Sequence, residues 1–328
     1  MPDPIAAAEA VLPAAFLERL RQIIPAGDYE QVLASFGAPR AVGFRVNTLR
    51  AEPAGAIAEL RAAGLHPEPV EGLPEGYIVP PAERDALLAS AACASGAIYV
   101  QDLSSQLTVA VLDPQPGERV LDLCAAPGSK TGQIAARMQG EGEIAAVEVS
   151  RARFFKLRAN LEAQGASGVR TFHRDGTTVW RHRPEYFDRI LVDAPCSTEG
   201  RFRLDDPDSY RYWQPRKARE MARKQGRLLW SAVQSLRPGG TLVYSTCTFA
   251  PEENEGVLSR LLDQFKGALE VEPLRLPSFS RVQPPLAAWG KQAFSSEVSG
   301  AARLMPSDTN EAFFVARLRK LSGTEAAG

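Results

Sequence analysis

Short apolar runs alternate with longer stretches of helical periodicity from about residue 118 onward. The clearest apolar runs are RVLDLC (119–124), EIAAVEV (143–149), DRILVDA (188–194) and GGTLVYST (239–246). Strands buried on both faces of a parallel sheet show such continuous apolar runs, and helical patterns follow each of these. The pattern predicts an α/β fold with a doubly wound, mostly parallel sheet. The closing EAFFVARLRK (311–320) predicts an antiparallel strand at the C-terminal edge of that sheet.

The first 115 residues or so show a different order of elements. FLERLRQII (16–24) and YEQVLASF (29–36) have helical spacing, whereas FRVNTLR (44–50) alternates like a half-exposed strand. A second helix–strand pair follows, in AGAIAELRAAG and GYIV. We therefore predict a small α+β domain at residues 1–95, a larger α/β domain at residues 96–322 and a short tail at residues 323–328.

Composition excludes several classes of protein. The 328 residues are 45% hydrophobic and carry a net charge of −1, as is ordinary for a globular protein. The N-terminus lacks the basic start of a signal peptide, and no run of about 18 apolar residues could span a membrane. The four cysteines form no C-x-x-C pair, and the three histidines are scattered. We expect a cytoplasmic protein with no membrane segment, no metal site and no disulfide framework.

Basic residues are concentrated in two segments despite the neutral total charge. RARFFKLR (151–158) holds four basic residues in eight, and the segment 211–227 holds seven against one acid, interleaved with Tyr212 and Trp213. Such runs fit either a solvated helix face or a groove that follows a phosphate backbone. The sequence leaves both interpretations open.

A strand, a tight turn and a helix start are visible in VLDLCAAPGSKTGQIA. Pro127 and Gly128 let the backbone pass close to a ligand, and the helix that opens near Lys130 presents free N–H groups. The spacing matches neither of the common phosphate-binding glycine motifs. Glu148 ends the next strand, where an acid can bind the hydroxyls of a ribose.

Further polar residues follow the later strands of the predicted sheet. Asp175 comes after the third strand and Asp193 after the fourth. Two thiols have similar positions: Cys196 follows Asp193, and Cys247 follows the strand after that. Because parallel strands end at one edge of the sheet, we predict that the glycine turn and the acids line a single ligand crevice.

The motifs DLCAAPGSKT, DAPCSTEG and YSTCTFAPEENE, in this order, resemble the Nol/Nop/Sun family of RNA cytosine-5 methyltransferases. The resemblance covers about residues 95 to 320 and implies a Rossmann-like methyltransferase fold, S-adenosylmethionine as cofactor and RNA as partner. It implies that Glu148 holds the ribose, Asp175 lies by the adenine and Asp193 lies where cofactor and base meet. The residues expected to wrap the rest of the cofactor are Cys124, Ala125, Ala126, Pro127, Gly128, Ser129 and Lys130.

The resemblance also implies an order for the two thiols, which the residues alone leave open. Cys247 would attack carbon 6 of the cytosine, and Cys196 would help to release the product. Asp193, in its acid form, would assist at ring N3. Lys130 could lower the pKa of a nearby thiol and contact the base, or be an exposed lysine at a helix start.

Substrate and partners are less constrained by these motifs. The loop after Cys196 lacks a lysine common in the family, and Glu311-Ala312 stand where Asp-Gly is usual. The printed sequence ends soon after the last predicted strand, so we expect no C-terminal RNA-binding domain of the kind some members carry. Four loop aromatics could stack on a flipped base or simply pack the loop; they are Phe202, Tyr210, Tyr212 and Trp213.

We expect a monomer that acts on ribosomal RNA, with transfer RNA as the alternative. A catalytically silent RNA-binding assembly factor is a third interpretation, against which the intact Asp193, Cys196 and Cys247 speak. A thiol redox protein would need a C-x-x-C pair, and a methyltransferase for an exocyclic nitrogen would need no paired thiols. The N-terminal domain could face the RNA or serve only for packing.

Overall fold

The computed structural model describes residues 3–279 and 281–323; the predicted tail therefore lies outside the described residues except at its first position. Three helices open the chain: α1 (Pro4–Val11), α2 (Ala14–Ile23) and α3 (Ala26–Ser35). Apolar residues of α2 recur at three- and four-residue spacing, so they form one buried face. That face packs against Phe202 and Trp213 from the long loop of the larger domain.

A small antiparallel sheet completes the N-terminal α+β unit. Its strands are β1 (Val42–Val46), β2 (Glu68–Val70), β3 (Leu73–Val79) and β4 (Ile98–Val100), in the order β2-β3-β1-β4. The accompanying helices are α4 (Pro53–Ala62), α5 (Arg84–Ala89) and α6 (Ala91–Ala94). Because β4 pairs with β1, this sheet continues past the predicted boundary at residue 95. We propose that the domain boundary lies between Val100 and Leu103.

A buried polar joint connects the two units. Arg45 is 1% exposed and donates through Nε to Gln101 Oε1 at 3.0 Å and through Nη2 to Gln164 Oε1 at 2.5 Å. Asn47 Nδ2 donates to the backbone oxygen of Gln164 at 2.8 Å. Hydrogen bonds that are buried in this way fix the position of one unit on the other, since breaking them would leave polar groups without water.

The larger domain is built on one sheet, which has nine strands among the described residues. They are β5 (Arg119–Asp122), β6 (Glu143–Glu148), β7 (Val169–His173), β8 (Phe187–Asp193), β9 (Leu236–Thr246), β10 (Leu269–Glu272), β11 (Val282–Gln283), β14 (Ala302–Leu304) and β15 (Phe313–Lys320). A separate hairpin consists of β12 (Ala288–Trp289) and β13 (Gln292–Ala293).

Five strands of this sheet are parallel, in the order β9-β8-β5-β6-β7. The last strand, β15, pairs antiparallel with β9, which confirms the predicted direction. It lies inside the sheet rather than at its edge, because β14 and β10 pair with its other side. The sheet therefore extends beyond the point at which the sequence predicted its end.

Helices cover both faces of the sheet, as predicted. One face carries α7 (Leu103–Leu112), α8 (Ser129–Arg137) and α9 (Arg151–Ala163), and the other carries α10 (Pro215–Ser235) and α11 (Glu255–Gln264). Successive strand residues point to opposite faces, so Val120 packs in one core and Leu121 in the other. This explains why the strands are apolar at nearly every position.

The order of the parallel strands reverses at one place. From β5 the chain proceeds outward through β6 and β7, then returns to add β8 and β9 on the other side. The loops after β5 and β8 therefore diverge and leave a crevice at the carboxyl edge of the sheet, where ligands bind in such folds.

In the described part of the chain, no helix is long and apolar enough to cross a membrane.

Candidate active site

A cavity of about 520 Å³ occupies this crevice. Of the residues predicted from the sequence, those that line it are Cys124, Ala125, Ala126, Pro127, Ser129, Lys130, Glu148, Asp175, Asp193, Cys196 and Cys247. Gly128, also predicted, does not line the cavity but shapes the turn beside it. The topology thus brings residues from five strand ends to one place.

The glycine turn is held from behind by helix α9. Gly128 has φ +104°, and a Cβ there would lie 3.1 Å from Leu157 Cδ1, so a larger residue would strain the turn. Its N–H donates to Ala125 O at 2.8 Å, and Asn160 Nδ2 donates to Pro127 O at 2.8 Å. These contacts fix the backbone where α8 begins and its free N–H groups meet the cavity.

Two carboxylates border the same half of the cavity. Glu148 is 3% exposed; its Oε1 accepts from the Ser150 N–H at 2.8 Å, and its Oε2 lies 3.6 Å from Arg153 Nη1. Asp175 accepts from the Thr177 N–H at 2.9 Å. Each acid is therefore fixed by the backbone two residues further along the chain.

A third acid, Asp122, was not identified from the sequence as a site residue. It is 1% exposed and lines the cavity; Oδ2 accepts from Thr131 Oγ1 at 2.6 Å, whereas Oδ1 is buried with no partner among the described residues. Burial raises the pKa of Asp122 to about 6. The signal available in the sequence was an acid inside the apolar run VLDLC.

The two thiols meet at the other half of the cavity. Cys196 Sγ lies 3.3 Å from Cys247 Sγ, because the two cysteines follow the neighbouring parallel strands β8 and β9. The hydrogen bond with Cys247 and burial raise the pKa of Cys196. The hydrogen bond from Cys196 and then the charge of Arg201 hold the pKa of Cys247 below its ordinary value, against the effect of burial. Cys247 is therefore the thiol that ionises first.

Asp193 lies between the two halves of the cavity. Its Oδ2 accepts from Lys130 Nζ at 2.7 Å, and its Oδ1 accepts from Ser245 Oγ at 2.8 Å. The Lys130 side chain is only 8% exposed, so the interpretation of an exposed lysine at a helix start is wrong. The cation that lowers the pKa of Cys247 is Arg201, whereas Lys130 is bound to Asp193.

Buried acids tie the two cysteine loops together, and the sequence analysis missed them. Glu253 accepts from the Ser197 N–H at 3.0 Å, from the Ser197 hydroxyl and from Gln225 Nε2 at 2.8 Å. Glu199 accepts from Thr248 Oγ1 at 2.9 Å. Burial raises the pKa of Glu253 to about 8. The acids of PEEN after Cys247 were visible in the sequence, but not their burial.

The loop aromatics divide between the two interpretations that the sequence left open. Phe202, Tyr210 and Trp213 are buried against the N-terminal helices, with Phe202 4.8 Å from Phe16 between ring centroids. They pack the loop. Tyr212 is 76% exposed and is the one of the four that a base could reach.

Within residues 3–279 and 281–323, no group of three or more His, Cys, Asp or Glu could hold a metal ion.

A doubly wound parallel sheet with acids and small residues around its switch point defines the class of α/β proteins that bind a nucleoside-containing ligand there. The family described as 16S rRNA methyltransferase RsmB/F matches residues 109–319, and the N-terminal domain of 16S rRNA methyltransferase RsmF matches residues 12–103. The chain belongs to the RsmB/F family of 16S rRNA methyltransferases.

Individual relatives agree with this assignment. The chain is 41% identical over 320 residues to the ribosomal RNA small subunit methyltransferase F of Cronobacter sakazakii, and 40% identical to that of Escherichia coli. Each match covers 96% of this chain and 64% of the relative, so the chain spans about two thirds of their length. A methyltransferase homologue from Pyrococcus horikoshii has a TM-score of 0.83 at 29% identity, covering 98% of this chain and 100% of that structure.

Proposed function

We propose that the protein transfers a methyl group from S-adenosylmethionine to carbon 5 of a cytosine in RNA, through a covalent adduct with Cys247. One observation carries the proposal: two thiols of opposite pKa shift lie 3.3 Å apart in the cavity that Asp193 and Lys130 also line. A methyltransferase that acts on a nucleophilic nitrogen or oxygen would need no such pair.

The residues of the first half of the cavity fit the cofactor. The turn from Cys124 to Lys130 provides backbone N–H groups and small side chains for the methionine part, and Glu148 is a fixed carboxylate for the ribose hydroxyls. Asp175 would lie by the adenine. The unpartnered Oδ1 of Asp122 is a further acceptor for a donor of the ligand. S-adenosylmethionine, when bound, supplies an electrophilic methyl group.

Cys247 makes carbon 5 of cytosine reactive. Its sulfur forms a bond to carbon 6, which breaks the C5–C6 double bond and leaves carbon 5 rich in electrons. Asp193 passes a proton from the Lys130 ammonium group to ring N3, where charge develops during the attack, and takes it back when the C5–C6 double bond forms again. Lys130 and Ser245 hold the Asp193 side chain by hydrogen bonds at 2.7 and 2.8 Å. Carbon 5 can then accept the methyl group.

Cys196 completes the reaction. The proton left on carbon 5 must be removed so that the C5–C6 double bond forms again and expels the sulfur of Cys247. The largest cause of the raised pKa of Cys196 is its hydrogen bond with Cys247. That cause disappears while Cys247 is bonded to the base, so Cys196 can lose its own proton to solvent more readily and then take the proton from carbon 5.

A basic helix face leads to the cavity and supports RNA as the substrate. Most of the basic segment 211–227, from residue 215 onward, forms the start and middle of α10. Arg216, Lys217, Arg219 and Arg223 are exposed there, and Lys224 lines the cavity. Clustered cations of this kind follow a phosphate backbone. The target base must leave its stack to reach Cys247, which is 8% exposed.

The curated relatives are named as methyltransferases of small-subunit ribosomal RNA, which favours ribosomal RNA over transfer RNA here. We propose that the protein acts on this RNA as a monomer in the cytoplasm. An assembly factor without activity would have no need for two thiols 3.3 Å apart in a cavity that Asp193 also lines.

The two thiols can be separated by substitution. Cys247→Ala should abolish methyl transfer and form no covalent species with RNA, because no adduct can begin. Cys196→Ala should still attack and then release slowly, so protein bound to RNA should accumulate as a shifted band in a denaturing gel. The double substitution should lose that band.

Cys93→Ala is the matched control, since this half-buried thiol lies outside the cavity. This variant should methylate RNA at the parental rate and form no shifted band in the denaturing gel. A band with Cys247→Ala and none with Cys196→Ala would reverse the two roles. Methyl transfer by Cys247→Ala at the parental rate would remove the covalent mechanism altogether.

A further inference from the structure

Arg201 lies beside Cys247, and the steps proposed above make no use of it. The N–H of the preceding Gly200 donates to the backbone oxygen of Cys247 at 3.0 Å, so the chain itself joins the two positions. Arg201 and Cys247 line the same cavity. The Arg201 side chain is 53% exposed, which places its guanidinium at the cavity mouth.

Glu311 holds the guanidinium from one side. Arg201 Nε donates to Glu311 Oε2 at 3.0 Å, and the two terminal nitrogens of Arg201 have no hydrogen bond to any described residue. The backbone segments before Arg201 and after Glu311 lie close together, since a Cβ on Gly200 would lie 2.4 Å from Ala312 O. Because Nε is bound to Glu311, the two terminal nitrogens of the guanidinium have a fixed position. They keep the positive charge and remain available as hydrogen-bond donors.

The charges around Cys247 come from several segments. The Cys196 thiol contacts it from the loop after β8, and Asp193 and Glu311 each bring a carboxyl that opposes a thiolate. Arg201 is the cation that opposes them. The hydrogen bond between the two sulfurs lowers the pKa of whichever thiol ionises first and raises the pKa of the other, so by itself it does not select which sulfur carries the charge. The selection requires a charge nearer to one of them.

We propose that Arg201, anchored by Glu311, is the positioning residue that keeps the negative charge of the thiol pair on Cys247 rather than on Cys196. This inference rests on the proposed role of Cys247 as the attacking thiol. It explains how two adjacent and chemically identical groups receive different tasks before any RNA binds.

The test is the pH profile of alkylation by iodoacetamide, measured for each cysteine by peptide mass spectrometry, without RNA or cofactor. In the parent protein Cys247 should react before Cys196. In Arg201→Gln the alkylation rate of Cys247 at pH 7 should fall about three- to tenfold, reach the parental plateau at high pH, and lose much of its lead over Cys196. Arg201→Lys keeps the charge and should restore most of the rate.

Arg203→Gln is the matched control, since it removes an equal charge two residues away and outside the cavity. Its profile should match the parent. An unchanged profile in Arg201→Gln, or an equal loss in Arg201→Lys, would overturn the inference. So would weaker RNA binding by Arg201→Gln with an unchanged profile, which would make Arg201 a phosphate contact. The alkylation experiment uses no RNA. Its result can therefore be interpreted even if the protein proves not to methylate RNA. Arg201→Met is a second variant if Arg201→Gln folds poorly.

Discussion

The two halves of the cavity are built in different ways. The half proposed for the cofactor is formed mainly by one continuous stretch, the turn from residue 122 to 130, with Glu148 and Asp175 at the next two strand ends. The half that holds the thiols combines loops around residues 196 and 247 with residue 311, and buried carboxyl groups join those loops. A local turn depends on its own backbone, whereas the thiol half depends on contacts between distant segments.

This difference has energetic consequences. Glu253 and Glu199 are 0% and 1% exposed, and each satisfies its oxygens with donors from other segments. Removing one partner from such a network leaves buried donors without water, which costs more than an exposed hydrogen bond would. The thiol half should therefore be the more sensitive of the two to a single change away from the reacting atoms.

The largest effect is expected from Glu253→Ala. It removes the acceptor for Ser197 and Gln225, so the free energy of unfolding should fall by about 2–4 kcal/mol and Cys196 should lose its fixed position. Urea unfolding measures the first effect. Calorimetry should still detect S-adenosylmethionine binding at temperatures where the variant is folded.

Glu253→Gln is the control for this change. The raised pKa of about 8 means that Glu253 accepts a proton readily in the folded state, so an amide that donates to Ser197 Oγ imitates the neutral acid. Between the ordinary glutamate pKa of 4.5 and about 8, the folded state binds more protons than the unfolded state. Stability of the parent protein should therefore fall as pH rises across this range and level off above 8, and it should fall less in Glu253→Gln. A cofactor affinity that falls in step with stability would mean that the halves are not independent.

A smaller and more local effect is expected from Glu148→Ala. Loss of the acceptor for two ribose hydroxyls should weaken S-adenosylmethionine binding by about 1–3 kcal/mol, as measured by calorimetry. Alkylation of Cys247 should be unchanged, because Glu148 belongs to the other half. The exposed Glu141→Ala serves as the control of equal charge. Unchanged cofactor affinity in Glu148→Ala would exclude this residue from the site.

The smallest effect per residue concerns neither half but the helix face beside them. Replacing Arg216 and Lys217 by Glu should weaken the binding of all RNAs and flatten the dependence of log affinity on log salt by about one unit per lost phosphate contact. Filter binding between 50 and 200 mM salt is suitable for this. Lys266→Glu, on the exposed turn after α11, should leave the slope unchanged. An unchanged slope in the double variant would restore the interpretation of a solvated helix.

The elements of the larger domain were largely predictable, because each depends on neighbours in the chain. The runs around Leu121, Ile190 and Leu242 became strands since an apolar run that is buried on both faces has few alternatives. The final strand shows the limit of this reasoning. Its sequence indicates a strand, but whether β14 and β10 pair beyond it is a matter of long-range pairing, which has no local signal.

The site residues show the same difference between local signals, which the sequence contains, and long-range contacts, which it does not. The strand-end rule was enough to place Glu148, Asp175 and Asp193 around one crevice. It gave no indication that Lys130 would form a salt bridge with Asp193. The two residues are 63 positions apart, and their contact depends on how a helix start and a strand end are brought together. The same applies to Trp213, whose ring lies under the N-terminal helices rather than in the open loop.

By itself, the sequence determined the kind of sheet, the edge at which the polar groups gather and the presence of two thiols near one acid. Only the tertiary structure decided how the two thiols differ in their surroundings. Arg201 and Glu311 are 110 residues apart and meet beside Cys247, and Coulomb interactions depend on distance in space rather than along the chain. Two cysteines that look alike in the sequence therefore differ in pKa, because folding joins them by a hydrogen bond and brings the cation Arg201 near Cys247.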